Sequence, residues 1–334
     1  MPRPIRIAVD AMGGDDAPEA IIAGALKAAS DEIEPILVGR LGIDPKGLAH
    51  VVADEVIEMH EKPSKAVRTK HRSSLVVANR LVAEGKADAI VSAGNTGAML
   101  AAGMVVLRRL SGVKRPAIGA VVPSRQGPYV LIDAGANADA RPRHLLQFGH
   151  MGAIFAEEVL ELKHPSVRLL SIGEEAEKGN AMSIAAHKLL AASSLNFLGN
   201  AESRLLLEHP ADVVVCDGFT GNIALKTIEG TAESMFRALR DAAEQSTPTK
   251  LGGLLLRPAL RSVREKFNPD TYGGAYLLGL RGLAVIAHGN SSPDAIANAI
   301  RLAARGAEHR VVQRIAERMP SRVVASARPS NPTE

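Results

Sequence analysis

Glycine and asparagine recur where short apolar runs of the sequence end, and these residues suit the binding of an oxyanion or a phosphate. Glycine lets a backbone approach a ligand closely, while asparagine tolerates unusual backbone angles and offers an amide donor. The arrangement occurs at 10–15, 92–97, 133–137, 173–180 and 217–222. A turn followed by a capped helix explains any one of these segments, but their recurrence favours a binding site.

Short aliphatic runs alternate with longer amphipathic stretches, which predicts the elements that position these segments. The pattern indicates an α/β fold with a doubly wound, mostly parallel sheet. Strands are expected at 5–10, 35–38, 89–92, 117–122, 129–133, 167–172, 212–217 and 283–287. Because the carboxyl ends of parallel strands lie along one edge, the polar segments are expected to converge there. The candidate phosphate- and substrate-binding residues are Asp10, Gly13, Gly14, Asp15, Ser92, Gly94, Asn95, Thr96, Gly97, Asp133, Asn137, Gly179, Asn180, Asp217, Gly221 and His288.

Three further side chains are considered for chemistry. Lys178 lies within the segment 173–180, where it either holds a phosphate or is a solvated surface lysine. His288 follows the last expected strand and is a secondary candidate as hydrogen-bond donor or base. Cys216 lies in an apolar run, which favours a small buried residue over a nucleophile. We expect no metal and no organic cofactor, since no cluster of His and Cys ligands stands out.

The segment 247–266 combines consecutive leucines with basic residues, a glycine pair and Pro258. It predicts the exposed tip of a helical hairpin, broken near the glycines and the proline. Such a mixture suits contact with anionic lipid, although a dimer contact or core packing explains it equally well. The candidate membrane-contacting residues are Leu251, Leu254, Leu255, Leu256 and Leu260.

Composition limits the classes of protein that fit this chain. Of its 334 residues, 46% are hydrophobic and 3% aromatic, which predicts an aliphatic core and disfavours nucleic-acid binding by base stacking. One cysteine excludes an internal disulfide and fits a reducing cytoplasm. Without a signal peptide or spanning segment, a cytoplasmic protein with at most peripheral membrane contact is expected. One domain, 1–318, and a disordered tail, 319–334, are predicted.

Taken together, the motifs resemble the bacterial fatty acyl-acyl carrier protein:phosphate acyltransferase family over nearly the whole chain. The matching segments are 8–15, 91–98, 173–180, 196–200, 217–222, 272–275 and 288–289. The resemblance implies a three-layer α/β/α sandwich with a Rossmann-like sheet, related to phosphotransacetylases and isocitrate dehydrogenases. It further implies a homodimer and membrane contact through the leucine-rich segment. It also implies that Lys178 and Asn222 are catalytic. Ala138, where a valine is common in the family, touches no implied role.

The resemblance implies transfer of a fatty acyl group from acyl carrier protein to inorganic phosphate for phospholipid synthesis. The acyl phosphate would then pass to a membrane acyl phosphate:glycerol-3-phosphate acyltransferase. One alternative is another enzyme on a similar sandwich, either a small-acyl coenzyme A phosphotransferase or a nicotinamide-dependent dehydrogenase. The dehydrogenase is disfavoured because the glycine fingerprint of a dinucleotide site is missing. The other alternative is a non-catalytic scaffold that binds the carrier protein or the membrane.

Overall fold

The aliphatic runs of the sequence form the strands of one 11-stranded sheet in the computed structural model, which describes residues 3–267 and 273–319. The expected runs are all strands, because β-branched residues pack well on a pleated surface. In chain order the strands are β1 (Ile5–Asp10), β2 (Ile33–Gly39), β3 (Ala49–Val52), β4 (Ala89–Ser92), β5 (Ala117–Val122), β6 (Tyr129–Ile132), β7 (Ser166–Ser171), β8 (Asn196–Glu202), β9 (Val213–Val215), β10 (Ala275–Leu278) and β11 (Leu283–Ile286).

Helices cover both faces of this sheet and bury its aliphatic side chains. They are α1 (Glu19–Ala28), α2 (Pro63–Thr69), α3 (Ser74–Ala83), α4 (Thr96–Ala102), α5 (Pro142–Val159), α6 (Ala181–Ala191), α7 (Gly218–Glu244), α8 (Thr247–Phe267), α9 (Pro293–Glu308) and α10 (Val311–Arg318). One hydrophobic cluster joins α1, α5, α6, α9 and α10 to one face. The other face packs against α2, α3 and α4 and, further along, against α7. The predicted three-layer α/β/α sandwich is therefore confirmed.

The strand order is β3-β2-β1-β4-β11-β10-β5-β6-β9-β7-β8, and most neighbouring strands are parallel, as predicted. Strand β10 is antiparallel to both β11 and β5, and β5 is antiparallel to β6. Strands β6, β9, β7 and β8 therefore run opposite to β1, β4 and β11. The expectation that all the polar segments share one edge of the sheet is wrong, because these reversals place their strand ends at opposite edges.

Three strands were not expected from the sequence. The short edge strand β3 is partly exposed, so it lacks the continuous apolar run of a buried strand. Strand β8 contains Asn196, Gly199 and Asn200, which are typical of turns, and pairs with β7 across a register shift. Strand β10 lies directly after two glycines with positive φ. In each case, pairing with a neighbour overrides weak local propensity.

Helices α7 and α8 form a long hairpin that projects from the sheet. The expected tip within 247–266 is wrong, because the chain turns between Glu244 and Thr247 and the leucine-rich segment forms one arm of the hairpin. The expected break near Pro258 is also absent, since α8 runs through this proline from Thr247 to Phe267. The leucines and alanine around Pro258 are strong helix formers, and α8 packs on α7 where a Cβ at Gly253 would meet Ala243. Among the described residues, no helix is both long and apolar enough to cross a bilayer.

The carboxyl-terminal helix α10 packs its apolar side into the larger core cluster. Met319, expected to begin a disordered tail, is instead 8% exposed and packs in that cluster with Ile315. Burial of a long apolar side chain holds this residue in place. The rest of the expected tail, 320–334, lies outside the described residues.

Candidate active site

A cavity of about 790 Å³ lies on one face of the sheet, over the antiparallel strands in its middle. Its floor includes Ile118, Ala120 and Val122, which alternate along β5 and so point to the same face. One wall is the hairpin of α7 and α8, and the ends are closed by two sets of loops. The first loop group comprises 10–18, 92–97 and 288–292, and the second comprises 133–138 and 217–222.

The two loop groups approach each other although they follow strands that run in opposite directions. Pairing through β11 and β10 puts Ser92 at the level of Ala120 in β5. The second group begins at the level of Ile118, whose amide donates to the Asp133 carboxylate and whose carbonyl accepts from the Ala134 amide. The groups are thus offset by about two residues along the strands, or roughly 7 Å. This stagger makes them opposite ends of one cavity.

Asp10 ties the first loop group together from within. Its carboxylate is 3% exposed and accepts a 2.7 Å hydrogen bond from Ser92 Oγ. Ser92 Oγ in turn accepts from the amide of Gly94 at 3.1 Å. Burial raises the pKa of Asp10, although the hydrogen bonds it accepts oppose this effect. Asp10 and Ser92 therefore position the loop rather than face the cavity.

Glycines allow the loops of the first group to pack backbone against backbone. A Cβ at Gly13 would lie 2.7 Å from Asp10 Oδ2 and 2.8 Å from the Gly94 amide. Gly14 has a φ of 118°, and the next amide, of Asp15, donates to the carbonyl of Gly289 at 2.7 Å. These contacts join the loops after β1, β4 and β11 into one unit.

Asn95 starts helix α4 at the edge of the cavity. Its side-chain oxygen accepts from the Ala98 amide at 3.0 Å, and its Nδ2 donates to the Met59 carbonyl at 2.9 Å. The amide of Asn95 is therefore a helix cap and a loop clamp. Thr96 and Gly97 line the cavity, and their backbone N–H groups donate to no other described residue.

Asp133 organises the second loop group. Its fully buried carboxylate accepts hydrogen bonds from the amides of Ile118, Gly135, Ala136 and Asn137 at 2.8 to 3.1 Å. The Asn137 side chain donates to the same carboxylate at 2.8 Å and to the carbonyl of Pro116 at 2.7 Å. So many donors to one charge fix the loop that forms this end of the cavity.

Helix α7 begins at the second loop group and presents Asn222 to the cavity. Asp217 caps the helix by accepting from the Thr220 amide at 3.0 Å and its hydroxyl at 2.8 Å. Gly221 packs directly against the Asp133 carbonyl. Asn222 lies next to Gly135, which has a positive φ of 146°. The half-buried amide of Asn222 makes no hydrogen bond to another described residue, so its donor is available at the cavity.

His288 lies on the cavity wall beside the first loop group and is paired across the cavity. Its Nε2 lies 3.3 Å from Glu229 Oε1 on α7, and both residues line the cavity. Glu229 was not predicted as a site residue. Its carboxylate on an otherwise apolar helix face was the available signal in the sequence.

Lys178 lies outside the cavity formed by this chain. It is exposed in the loop between β7 and α6, where Asn180 caps α6 by accepting from the Ser183 amide at 2.9 Å. Gly179 has a φ of 120° and packs against Ser171 and Ser183. Because β7 and β9 are paired neighbours, this loop starts roughly 4.8 Å from the strand that leads into α7. The loop that carries Lys178 therefore starts beside the strand that leads into the second loop group, and Lys178 itself is exposed to solvent.

The leucines of α8 are divided between solvent and the cavity. Leu251, Leu254 and Leu256 are exposed, and Leu255 is 75% exposed. Leu260 instead lines the cavity together with Val263. A large apolar surface of this kind is typical of a contact with another molecule.

The apolar wall of the cavity was missed by reasoning from glycine and polar residues. It is formed on α7 by residues including Leu225, Ala232, Phe236 and Leu239. Their spacing of three, four or seven residues puts them on one helix face. Cys216 lies beneath this region, where burial raises its pKa well above the usual value. In the described residues, no three His, Cys, Asp or Glu side chains are grouped to hold a metal.

The architecture is an α/β fold that this chain shares with solved phosphotransacetylases. A phosphotransacetylase from Streptococcus pyogenes superimposes with a TM-score of 0.61 at 16% identity, covering 93% of this chain and 94% of that chain. The EutD phosphotransacetylase from Staphylococcus aureus superimposes with a TM-score of 0.58 at 16% identity, covering 91% of this chain and 94% of that chain. At these identities the likeness shows the fold alone.

Sequence similarity is more specific. Residues 5–314 match the family described as fatty acid synthesis protein. A phosphate acyltransferase of Heliobacterium modesticaldum is 45% identical over 331 residues, 96% of this chain and 99% of its own length. One of Bacillus licheniformis is 43% identical over 325 residues, 94% of this chain and 98% of its own. The chain belongs to this family of phosphate acyltransferases, and it is an acyltransferase enzyme.

Proposed function

We propose that this enzyme transfers a fatty acyl group from acyl carrier protein to inorganic phosphate, giving an acyl phosphate for phospholipid synthesis. The observation that carries the proposal is an apolar cavity with glycine loops and helix starts at its ends. An apolar wall suits a long acyl chain, while exposed backbone amides suit a phosphate. The same combination disfavours a small-acyl donor, which would leave most of the apolar wall unused.

Phosphate is proposed to bind where unpaired donors face the cavity. The amides of Thr96 and Gly97 are such donors in the first loop group, and the Asn222 side chain is one in the second. Asp10, Ser92, Asp133, Asn137 and Asp217 would act indirectly by holding these loops. Their side chains are already hydrogen-bonded within the protein, so they would shape the phosphate site rather than contact the anion.

In the proposed reaction a phosphate oxygen attacks the thioester carbonyl and the carbon–sulfur bond breaks. The proton of the phosphate monoanion or dianion passes to the leaving thiolate, so acyl phosphate and free thiol are formed. Holding both reactants together contributes roughly 7–11 kcal/mol in favourable cases. The Asn222 amide would donate to the developing oxyanion, a contact worth about 3 kcal/mol. The His288–Glu229 pair is suited to relaying the proton.

Lys178 is proposed to attract phosphate from the neighbouring loop. A flexible lysine near the start of α7 supplies a compact positive charge to an incoming anion. Because its ammonium is exposed, this role requires the side chain to swing toward the second loop group when phosphate binds. Gly179 and Asn180 would support the loop rather than contact phosphate.

The wider setting is also part of the proposal. The exposed apolar surface of the α7–α8 hairpin suits a homodimer contact and a peripheral contact with the cytoplasmic face of the membrane. There a membrane acyl phosphate:glycerol-3-phosphate acyltransferase would take up the product. Flotation with anionic liposomes tests the membrane contact, with Leu254 and Leu255 changed to Glu. Unchanged flotation of the double variant would exclude these leucines from it.

The central experiment measures thiol release from palmitoyl-acyl carrier protein with and without phosphate, and traps acyl phosphate as a hydroxamate. Phosphate-dependent release with trapped product is expected. Palmitoyl- and acetyl-coenzyme A are the comparison donors, and preference for acetyl-coenzyme A would favour the small-acyl reaction. Binding of the carrier protein without thiol release from any donor would favour a scaffold.

Variants separate the proposed roles. Asn222→Ala and Asn222→Asp are each expected to lower turnover at least tenfold, because both remove the amide donor. Lys178→Ala is expected to raise the KM for phosphate, whereas Lys188→Ala, which removes another exposed lysine from nearby α6, serves as its control. Wild-type kinetics in the Asn222 and Lys178 variants would refute the assigned roles.

A further inference from the structure

The cavity changes in chemistry along helix α7. At the first turn, Asn222 presents an amide beside the second loop group. Further along the same helix face the wall is formed by Leu225, Ala232 and Phe236, and its far end includes Leu260 from α8. A polar end followed by an apolar channel matches a molecule with a reactive head and a long hydrocarbon tail.

Helical geometry gives distances along this wall. A helix rises about 1.5 Å per residue, so Ala232 and Phe236 lie roughly 15 Å and 21 Å beyond Asn222. An extended chain of single bonds advances about 1.2 Å per bond, as the reach of an extended backbone shows. A tail that starts at Asn222 therefore reaches Ala232 at about 12 carbons and Phe236 at about 17 carbons.

The side chains at positions 232 and 236 differ in size, which affects the width of the channel. Ala232 is small, whereas the half-buried Phe236 is the bulkiest side chain on this helix face, and Leu239 lines the cavity one turn further along. Glu229 lies on the same helix face, but its carboxylate is paired with His288 at 3.3 Å. That pairing directs the charge toward the first loop group and leaves the apolar path beside it.

We propose that Phe236 narrows the acyl-chain channel and so limits the length of the chain that the enzyme transfers efficiently, with Ala232 as the small residue that leaves the channel open before it. This inference rests on the proposed function, since it assumes that the acyl carbonyl lies at Asn222. The chain length that reaches Phe236 from Asn222 is about 17 carbons.

The test compares donors of different length on variants of the two positions. Acyl carrier protein carrying chains of roughly 10, 16 and 20 carbons is used, and kcat/KM for thiol release is measured for each. Ala232→Phe is expected to lower kcat/KM for the 16-carbon donor at least tenfold relative to the 10-carbon donor. The reason is that a pocket too short by even one methylene group can reduce kcat/KM by 10-fold or more. Phe236→Ala is expected to raise kcat/KM for the 20-carbon donor at least tenfold relative to kcat/KM for the 16-carbon donor.

A control places the same ring on the other side of α7. Ser234 is exposed and lies in a shallow surface groove with Thr227 and Gly230, so Ser234→Phe is expected to keep the wild-type preference. Circular dichroism checks that each variant folds, and Ala232→Leu replaces Ala232→Phe if the larger ring prevents folding.

The outcomes distinguish this inference from the proposed function. Opposite shifts of the preferred chain length in the two channel variants, with no shift in the control, support Phe236 as the residue that limits chain length. Wild-type preference in both channel variants overturns it while the reaction stands. An equal loss of kcat/KM for donors of every chain length in Ala232→Phe also overturns it, because the reacting end of the substrate would then lie near position 232. No thiol release by the wild-type enzyme from any donor would instead refute the proposed function.

Discussion

Replacing Gly221 by alanine tests whether close packing at the start of α7 holds the second loop group in place. An added Cβ would collide with the Asp133 carbonyl and would lie 2.8 Å from Cys216 Sγ. Both neighbours are buried, and the Asp133 carboxylate is fixed by several amide donors, so the loop has little freedom to yield. Either the helix start or the loop must move.

The expected cost follows from this lack of freedom. Overpacking a buried site costs about 1–3 kcal/mol, and a collision with buried backbone puts Gly221→Ala at about 3 kcal/mol or above. Gly230 provides the matched control on the same helix, since a Cβ there meets nothing within 4 Å. Gly230→Ala should raise the free energy of unfolding by about 0.5–1 kcal/mol, because alanine favours the helix.

Urea denaturation followed by circular dichroism measures both changes. Gly221→Ala is expected to lower the transition midpoint with little change in the m-value, and Gly230→Ala to raise it. If Gly221→Ala unfolds within about 0.5 kcal/mol of the wild type, the collision is relieved at little cost. That result would refute the claim that Gly221 fixes the loop around Asp133.

Three further predictions concern buried polar groups. Because burial raises the pKa of Cys216, its thiol should not react with Ellman's reagent at pH 8 until urea unfolds the chain, and reaction in the native protein would contradict this burial. The fully buried hydroxyl of Tyr129 has no partner among the described residues, so Tyr129→Phe should leave the free energy of unfolding unchanged or raise it by about 1 kcal/mol; a clear loss would reveal a missed partner. The pKa of Asp10 is raised in the folded state, so its contribution to stability is greatest below its unfolded pKa near 3.8 and declines as pH rises through the folded value. The stability of the wild type relative to Asp10→Asn should therefore increase as the pH falls from 7 toward 4 in urea titrations, and a constant or opposite difference would refute the burial effect.

Some strand bounds and helix ends follow from the residue types in short segments of the sequence. Strand β1 has the predicted bounds, and Gly85, just after α3, has the positive φ that glycine adopts readily at helix ends. Ser73 is the residue before α3, but its hydroxyl donates to the Lys70 carbonyl instead of accepting from the helix. Backbone preference thus located the helix end, while the side-chain partner depended on the loop that arrives there.

Strand direction could not be predicted in the same way. An apolar run such as Ala117–Val122 reads the same whichever way its neighbours run, and the reversals around β10 and β5 are set by long-range pairing. At the site, the sequence identified Asn222 and the Gly94 loop, because both belong to glycine- and asparagine-containing segments that follow strands. It did not identify Phe236 or Glu229, because these residues stand out only through the cavity that they line with elements distant in sequence.

The reversed strands also explain how this fold forms a cavity that extends along the face of the sheet. In a fully parallel sheet, loops after the strands meet in a short crevice at one edge. Here the first and second loop groups approach from opposite edges and leave the middle of a sheet face between them, where Ala120 and its small neighbours make a smooth floor. The α7–α8 hairpin covers that floor. Polar loops at the ends of the cavity are thereby joined to an apolar wall, and this wall is a helix face rather than a loop.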